Sequence, residues 1–340
     1  MLLYIQGSEM RHYILLLYLF TLLPLATCAQ DVRRTKSGII IIGGADTLRA
    51  VEPFRGTTER AADYASAVNR YKRTFGNRVN VYCMVIPTAI GIYCPEEAKA
   101  WTNDQHAVVQ HIYDQLLDSV RVVNLFGTLA AHASEDIYSR TDHHWAPLGA
   151  YYAAQEFAKI AGVSFPDLSA YEQRVIHDYV GTMYRFSRDA AVKNAPEDFV
   201  YYVPRDSSYT STSIHYVLGK NRQVTAEKEP EENRFFYDYA DGSSAAYMTF
   251  MHGDTNTTVV KTAASGGRRL LILKDSYGNA LPPFLFASFE EIHVVDCRYF
   301  LRNIVRYATE HGITDILFAN NAGHACSAAT HKAYHRYLEQ

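Results

Sequence analysis

Two short segments of the chain carry the residue types that serine-based chemistry needs. Residues 141–145 read Thr-Asp-His-His-Trp, and residues 274–279 read Lys-Asp-Ser-Tyr-Gly-Asn. A histidine can take the proton of a serine hydroxyl, and an aspartate two residues before it can orient the imidazole. We therefore predict that Asp142, His144 and Ser276 meet in a nucleophilic site. Spacing alone leaves two other interpretations open, a helix-capping serine and a packed structural histidine.

Strand-like and helix-like segments alternate along the chain and would position these residues. Apolar runs predict strands at 38–42, 79–86, 121–126, 269–273, 292–296 and 315–319, and helical periodicity predicts helices at 58–75, 96–117, 147–161 and 301–308. Such alternation is typical of an α/β fold, a parallel sheet with helices on both faces. Ligands of these sheets collect outside the carboxyl ends of the strands. We expect both polar segments to follow strands and to converge there.

The alternation stops between about 163 and 267. This stretch is rich in Ser, Thr, Asp and Asn, contains aromatic clusters and has no long helical period. We predict an irregular, partly β insertion. No internal repeat or low-complexity linker is evident, so residues 30–340 are predicted to form a single interrupted domain.

The N-terminus has the pattern of a secretory signal, predicted at residues 1–29 with Met10 as a possible true start. Its apolar run, Tyr13–Leu25, is shorter than the ~20 residues of a transmembrane helix. Cleavage is expected after Ala29, and a lipid anchor at Cys28 and an uncleaved membrane anchor remain alternatives. The sequence thus predicts an exported protein of the periplasm or cell envelope.

Export changes what the remaining cysteines predict. Cys83, Cys94, Cys297 and Cys326 can form two disulfides outside the cytosol, in any of three connectivities. Cys83 lies in an apolar run and can instead be simply buried. No Cys/His spacing typical of zinc appears, so no metal and no cofactor are predicted.

The composition is that of an ordinary folded protein, with 48% hydrophobic residues, 20% charged residues and a formal net charge of −3. These values exclude a disordered, collagen-like or multi-span membrane chain. They also argue against nucleic-acid binding, which favours a basic surface. The 26 tyrosines suit sugar-like ligands, although most are expected in the core.

Several motifs together resemble the bacterial DHHW family. They are Ile137–Tyr152, which includes Asp142-His143-His144-Trp145, with Val85–Thr88, Gly181–Tyr184, Lys274–Asn279 and Val295–Tyr299. That family is similar to the alginate O-acetyltransferases of the SGNH-hydrolase-like superfamily. The resemblance implies that Asp142 orients the base, His144 is the base and Ser276 is the nucleophile. His143 occupies the variable position of the motif and receives no role.

The order of the segments implies a circularly permuted SGNH-like fold, because the Asp/His block precedes the serine strand. The resemblance places an oxyanion-hole asparagine at the end of the last predicted strand. We expect Asn320, or failing that Asn321, to serve with the Ser276 backbone N–H; alternatively both asparagines merely end the strand.

Three further side chains are candidates for substrate binding: Arg298, Trp145 and Tyr277. Arg298 follows a predicted strand and can bind an anionic sugar or form a salt bridge with Asp296.

The leading functional hypothesis is acyl transfer, with acetyl as the expected group, to a cell-envelope or exported polysaccharide through an acyl-Ser276 intermediate. A carbohydrate esterase with the same residues and a non-catalytic carbohydrate-binding protein are the alternatives. A metal phosphoesterase is disfavoured, because the additional strand-end carboxylates it needs are not evident. The resemblance also implies a membrane-bound O-acyltransferase partner as acyl donor.

Overall fold

The structure is a computed structural model that describes residues 31–44, 47–206, 208–220, 224–230, 232–254 and 257–339. Its strands in this part of the chain are β1 (Val32–Arg34), β2 (Ile40–Ile42), β3 (Arg49–Val51), β4 (Asn80–Ile86), β5 (Arg121–Val122), β6 (Tyr171–Tyr179), β7 (Glu197–Pro204), β8 (Thr210–Leu218), β9 (Val224–Lys228), β10 (Thr257–Lys261), β11 (Arg269–Lys274), β12 (Glu291–Asp296) and β13 (Asp315–Asn321). Its α-helices are α1 (Thr58–Phe75), α2 (Ala89–Tyr93), α3 (Gln105–Asp114), α4 (Phe126–Ala131), α5 (Pro147–Ala161), α6 (Thr182–Ser187), α7 (Ala190–Lys193), α8 (Ile304–Glu310), α9 (Ala322–Ala325) and α10 (Ala328–Tyr337).

An eight-stranded mixed sheet, in the order β5-β4-β13-β11-β12-β10-β8-β9, forms the centre of the fold. The first five strands of this order are parallel to one another. The other three strands extend the sheet beyond β12, and each is antiparallel to the strand before it in this order. The predicted α/β class with a parallel sheet is confirmed, with an antiparallel extension that makes the sheet mixed.

The parallel strands are buried on both faces, which explains their continuous apolar sequences. Every residue of β12 and β13 is buried, as are all but the first residues of β4 and β11. Helix α1 buries Tyr64, Val68 and Tyr71 and contacts β4 and α10. Helix α5 begins at Pro147, as predicted, because proline suits the first turn of a helix.

The predicted insertion is partly β, as expected. Strands β6 and β7 pair with each other as a separate antiparallel ladder. Strands β8, β9 and β10 extend the main sheet, with β10 pairing to β12. The insertion thus contributes both to the main sheet and to a separate two-stranded layer.

Two of the predicted elements are wrong in extent. The helix expected over 96–117 is a 3-10 turn, Glu96–Trp101, followed by α3. The helical conformation is interrupted between them because Thr102 and Asn103 hydrogen-bond to the backbone of Phe54 and Gly56. The strand expected over 121–126 ends at Val122, because the Asn124 side chain accepts the Phe126 N–H where α4 begins.

The position of the Asp/His block also differs from the prediction. Residues 132–146 lie between α4 and α5 without forming a strand, so Asp142 does not follow one. The segment is held by an isolated bridge between Tyr138 and Trp145 and by the bond from the Ala146 N–H to the Ile137 carbonyl, 3.0 Å.

The disulfides that the sequence allows do not form, because Cys83, Cys94, Cys297 and Cys326 are all free thiols. Each lies in its own packing environment. Cys83 is buried within β4, and the Cys326 sulfur packs so closely on Gly56 that a Cβ there would lie 2.6 Å from it.

The predicted signal segment 1–29, with Met10, Cys28 and the cleavage position, lies outside the described residues. Among the described helices, none has the length and apolar character needed to span a bilayer.

The buried Asp315 carboxylate at the amino end of β13 predicts a large stability effect. It accepts hydrogen bonds from Arg268 at 2.5 and 3.0 Å and from Tyr82 at 3.2 Å. Replacing Asp315→Ala should lower the free energy of unfolding by about 3 kcal/mol, because the partly buried Arg268 guanidinium and the Tyr82 hydroxyl lose their fully buried charged acceptor. Urea denaturation tests this, with exposed Glu310→Ala as the matched control, for which a much smaller change is expected. A similar change in both variants would contradict the prediction.

Candidate active site

The buried side chain of Trp145 anchors the irregular segment that carries the Asp/His block. Its ring is fully buried, and its Nε1 donates to the Tyr277 carbonyl at 2.8 Å. Tyr277 is also buried, and its hydroxyl donates to the His143 carbonyl. The structure gives both side chains a packing role, and Tyr277 also lines a cavity over Ser276. The expected role of both residues in substrate binding stays a prediction.

The structure brings Asp142, His144 and Ser276 into one hydrogen-bonded chain. The His144 Nδ1 lies 2.5 Å from Asp142 Oδ1, and its Nε2 lies 2.8 Å from Ser276 Oγ. With Nδ1 donating to the carboxylate, Nε2 is left to accept the serine proton. The His144 ring is stacked on the Tyr247 ring, with centroids 3.8 Å apart and planes 6° from parallel. This stacking leaves the imidazole little freedom to rotate.

The Asp142 carboxylate is buried and surrounded by donors. The Asp142 Oδ2 accepts from the backbone N–H and the hydroxyl of Thr182, each at 2.7 Å, and Oδ1 also accepts the His144 N–H at 3.0 Å. Burial alone would raise the pKa of this carboxyl, but the His144 imidazole and these hydrogen bonds bring the pKa below its ordinary value. Asp142 is therefore ionised and acts only as an acceptor.

Ser276 lies at the carboxyl end of β11, as predicted, separated from the strand by Asp275 and at the first position of a 3-10 turn, Ser276–Ala280. The preceding Asp275 caps this turn by accepting the Tyr277 N–H at 2.9 Å. In the described part of the chain, no acceptor is found for the Ser276 backbone N–H. That group is thus available to a ligand beside the serine hydroxyl.

The two candidate oxyanion asparagines have different positions. Asn320 is fully buried; its amide oxygen accepts from Tyr64 and Tyr334, and its amide nitrogen contacts Asp275 and Cys297. All its polar atoms are engaged, so the structure does not bring it to Ser276. Asn321 lines the same cavity as Ser276 and uses its amide nitrogen toward Asp275 at 3.1 Å, which leaves one amide hydrogen for a ligand.

A cavity of about 520 Å³ opens over Ser276. Its lining combines basic, acidic and apolar residues: Glu52, Pro53, Phe54, Arg55, Gly56, Arg60, Thr88, His143, Phe186, Ser276, Tyr277, Arg298, Asn321, Gly323, His324, Cys326 and Ser327. Reduced solvation within the cavity and repulsion by Asp142 raise the pKa of Glu52. Glu52 therefore adds a titratable acid to the cavity.

Arg298 lies at this cavity but its charge is already matched. It forms hydrogen bonds with Asp296 at 2.7 and 2.8 Å and an ion pair with Asp254 at 2.8 Å, and Lys274 joins the same two carboxylates. Two cations face two carboxylates in this network. Of the two roles expected for Arg298, the structure shows the salt bridge with Asp296.

Two groups of His and carboxylate side chains are close enough to hold a metal ion among the described residues. One is Asp142 with His143 and His144, whose ligand atoms are largely occupied by the hydrogen bonds above. The other is Glu291 with His293 and His311, which starts at the amino end of β12, away from Ser276. Its His293 Nε2 and Glu291 Oε1 already form a hydrogen bond of 3.0 Å with each other.

Several residues that contact Asp142, His144, Ser276 or Arg298 were not identified from the sequence. Thr182 is one, although it lies in the Gly181–Tyr184 motif that contributed to the resemblance. Asp275 is another, although it directly precedes Ser276, which the sequence did identify. Tyr247 and Asp254 lie in the insertion, where no local pattern distinguishes them from other loop residues.

Such a chain of carboxylate, imidazole and hydroxyl can activate a serine for attack on an acyl carbonyl. A free backbone N–H and an amide beside it are groups that can stabilise an oxyanion. Together with the largely parallel sheet, these features define an α/β protein with a serine-centred candidate active site.

The chain belongs to the DHHW family, as the resemblance predicted. A family model described as DHHW protein matches residues 45–295. A DHHW family protein from Eubacterium siraeum is 36% identical, with a TM-score of 0.80 over 90% of this chain and 97% of that chain.

Two more distant structures also match, and of these PatB1 shares the fold. PatB1 of Bacillus cereus, solved with a sulfonyl adduct, is 18% identical with a TM-score of 0.67, covering 88% of this chain and 98% of PatB1. The O-acetyltransferase domain of Pseudomonas putida AlgJ is 12% identical with a TM-score of 0.45, covering 91% of this chain and 99% of that domain. None of the curated proteins compared with the chain matches it.

Gly181 is required by the close approach of Asp142. A Cβ at this position would lie 2.4 Å from the Asp142 Cβ, so Gly181→Ala must displace the carboxylate or Thr182. We expect labelling of Ser276 by a fluorophosphonate probe to slow about 100-fold, since a shift of ~1 Å in such groups has this effect. Gly127→Ala is the control, because a Cβ there meets nothing within 4 Å. Equal labelling rates in the two variants would refute the role of Gly181.

The charge of Asp254 should make a pH-dependent contribution to the thermal stability of the protein. Burial opposes its ionisation, but Lys274, Arg298 and the Asn279 amide lower its pKa below the ordinary 3.8. A carboxyl whose pKa is depressed by folding stabilises the protein above its unfolded pKa and loses that effect as the pH falls. The difference in Tm between wild type and Asp254→Asn should be largest near pH 7 and shrink below about pH 4. Melting curves from pH 7 to 2.5 test this, and a constant difference would contradict it.

Proposed function

We propose that the protein is an exported serine acyltransferase that O-acetylates a cell-envelope or exported polysaccharide through an acyl-Ser276 intermediate. The observation that carries the proposal is the continuous hydrogen-bonded chain from Asp142 through His144 to Ser276 at the edge of an open cavity. The resemblance to the alginate O-acetyltransferases supports acetyl as the group and a polysaccharide as the acceptor.

In the first half-reaction, Ser276 Oγ attacks the acyl carbonyl carbon while its proton passes to His144 Nε2. The resulting oxyanion is stabilised by the Ser276 N–H and the Asn321 amide. As the intermediate collapses, the bond to the leaving group breaks and the proton on Nε2 goes to that group. The ionised Asp142 stabilises the imidazolium during both steps.

In the second half-reaction, a hydroxyl of the acceptor takes the place of the leaving group. His144 Nε2 removes its proton as the oxygen attacks the acyl carbon. The ester forms, the bond to Ser276 Oγ breaks, and the proton returns to the serine. Water can act in the same position, so the same residues also support an esterase, and the identity of the acceptor decides between them.

The donor side of the proposal follows from export. Acetyl-CoA is absent outside the cytosol, so a membrane-bound O-acyltransferase would supply the acyl group, as the resemblance implies. Deleting such partners should abolish the acetylation that depends on this protein. Acetylation that persists without every such partner would argue against this donor.

The proposed nucleophile is tested by intact-protein mass spectrometry after incubation with p-nitrophenyl acetate. Wild type should gain a single acetyl adduct with release of p-nitrophenol, and Ser276→Ala should gain none. Ser211→Ala is the matched control, a hydroxyl loss on β8 within the insertion. Acetylated Ser276→Ala, or wild type without an adduct, would count against the proposal, and the latter would favour a carbohydrate-binding protein.

Candidate glycans added to the acetylated enzyme then separate the two reactions. Acetyl transfer to a glycan supports the transferase. Release of acetate alone, together with deacetylation of acetylated glycans, supports the esterase.

A further inference from the structure

His143, the neighbour of the proposed base, lies at the cavity in a defined orientation. Its ring centroid is 3.8 Å from that of His144, and its side chain is 24% exposed. Its carbonyl accepts the Tyr277 hydroxyl, which fixes the backbone at this point. The mechanism above makes no use of this imidazole.

The hydrogen bonds of Thr182 determine which nitrogen of His143 carries a proton. The Thr182 Oγ1 lies 2.7 Å from Asp142 Oδ2 and 2.5 Å from His143 Nδ1. Because the ionised carboxylate can only accept, the single hydroxyl proton of Thr182 is donated to Asp142. Thr182 must therefore accept from His143, and the proton of the imidazole lies on Nδ1.

The other nitrogen of His143 is an unoccupied acceptor. Burial and the neighbouring His144 lower the pKa of His143 to about 3, so the ring is neutral near pH 7 and Nε2 carries no proton. Among the described residues, no group donates a hydrogen bond to His143 Nε2. The atom is also not fully buried. It is accessible at the cavity that also exposes Ser276.

We infer that His143 Nε2 binds a second hydroxyl of the acyl acceptor, so that the site selects vicinal diols. The inference rests on the proposed function and names its acceptor class. After acylation, the adjacent imidazoles of His144 and His143 each present a bare Nε2. The first takes the proton of the attacking hydroxyl, and the second accepts a hydrogen bond from the hydroxyl on the neighbouring carbon. Sugar rings offer such pairs, whereas simple alcohols do not.

Two substitutions separate the two nitrogens of His143. In His143→Asn, the amide nitrogen can replace Nδ1 as the donor to Thr182, and the acceptor at Nε2 is lost. In His143→Gln, the longer side chain can place its amide oxygen near the position of Nε2, and the donor to Thr182 is lost. The Asn variant should be defective toward the acceptor, and the Gln variant should be defective in acylation through Asp142.

The experiment measures how the acetyl-enzyme formed from p-nitrophenyl acetate partitions between water and an added alcohol. The two acceptors are cis-1,2-cyclohexanediol and cyclohexanol, which differ by one hydroxyl. Wild type should transfer to the diol about fivefold to tenfold better per hydroxyl, the effect of one hydrogen bond. The preference should disappear in His143→Asn and persist in part in His143→Gln. A preference that is absent in wild type, or unchanged in His143→Asn, would overturn the inference.

A second measurement does not depend on turnover. The ¹⁵N NMR spectrum of the histidines in wild type should show His143 with a protonated Nδ1 and a bare Nε2, and adding the diol should shift the Nε2 resonance more than adding cyclohexanol does. A protonated Nε2, or equal shifts, would overturn the inference even if no transfer occurs. Failure of the proposed function appears separately, as the absence of any acetyl-enzyme in wild type.

Discussion

An ionised carboxylate can be buried only if several donors replace its water, and Asp142 meets this requirement with groups from two distant parts of the chain. His144 lies two residues away, whereas Thr182 comes from the insertion. The absence of a side chain at Gly181 lets that backbone approach the carboxylate. Because the segment around Asp142 has no strand to support it, these bonds and the buried Trp145 decide where the imidazole lies. These contacts place the His144 imidazole within hydrogen-bonding distance of Ser276.

The serine side of the site depends on a second buried carboxylate with a different task. Asp275 caps the turn that presents Ser276 and also binds the Asn321 N–H at 2.8 Å and the amides at the end of β13. It thereby ties the carboxyl ends of two neighbouring parallel strands together. Asn320 belongs to this tie, with its oxygen held by two tyrosines. Each carboxylate organises one half of the cavity edge, and the His144–Ser276 hydrogen bond joins the halves.

Local sequence patterns predicted those parts of the molecule that local physics determines. Continuous apolar runs located β4, β11, β12 and β13, because strands covered on both faces need no polar positions. The family motifs identified the three residues of the hydrogen-bonded chain. The patterns failed where distant contacts decide: Thr102 and Asn103 interrupt a helix to bind the backbone near Phe54, and Trp145 is buried beneath the site. Nothing in the sequence distinguishes Tyr247 or Asp254 from other residues of an irregular insertion, since their roles arise only from packing.

The strand order has a consequence for how the protein acquires its structure. Strand β13 is the last strand in the described chain, yet it lies between β4 and β11 near the middle of the sheet. Neither of those strands can complete its pairing until the chain has been synthesised through residue 321. The contacts that unite the sheet are therefore long-range, which slows folding. A nascent chain would therefore remain incompletely folded until its last described strand has been synthesised.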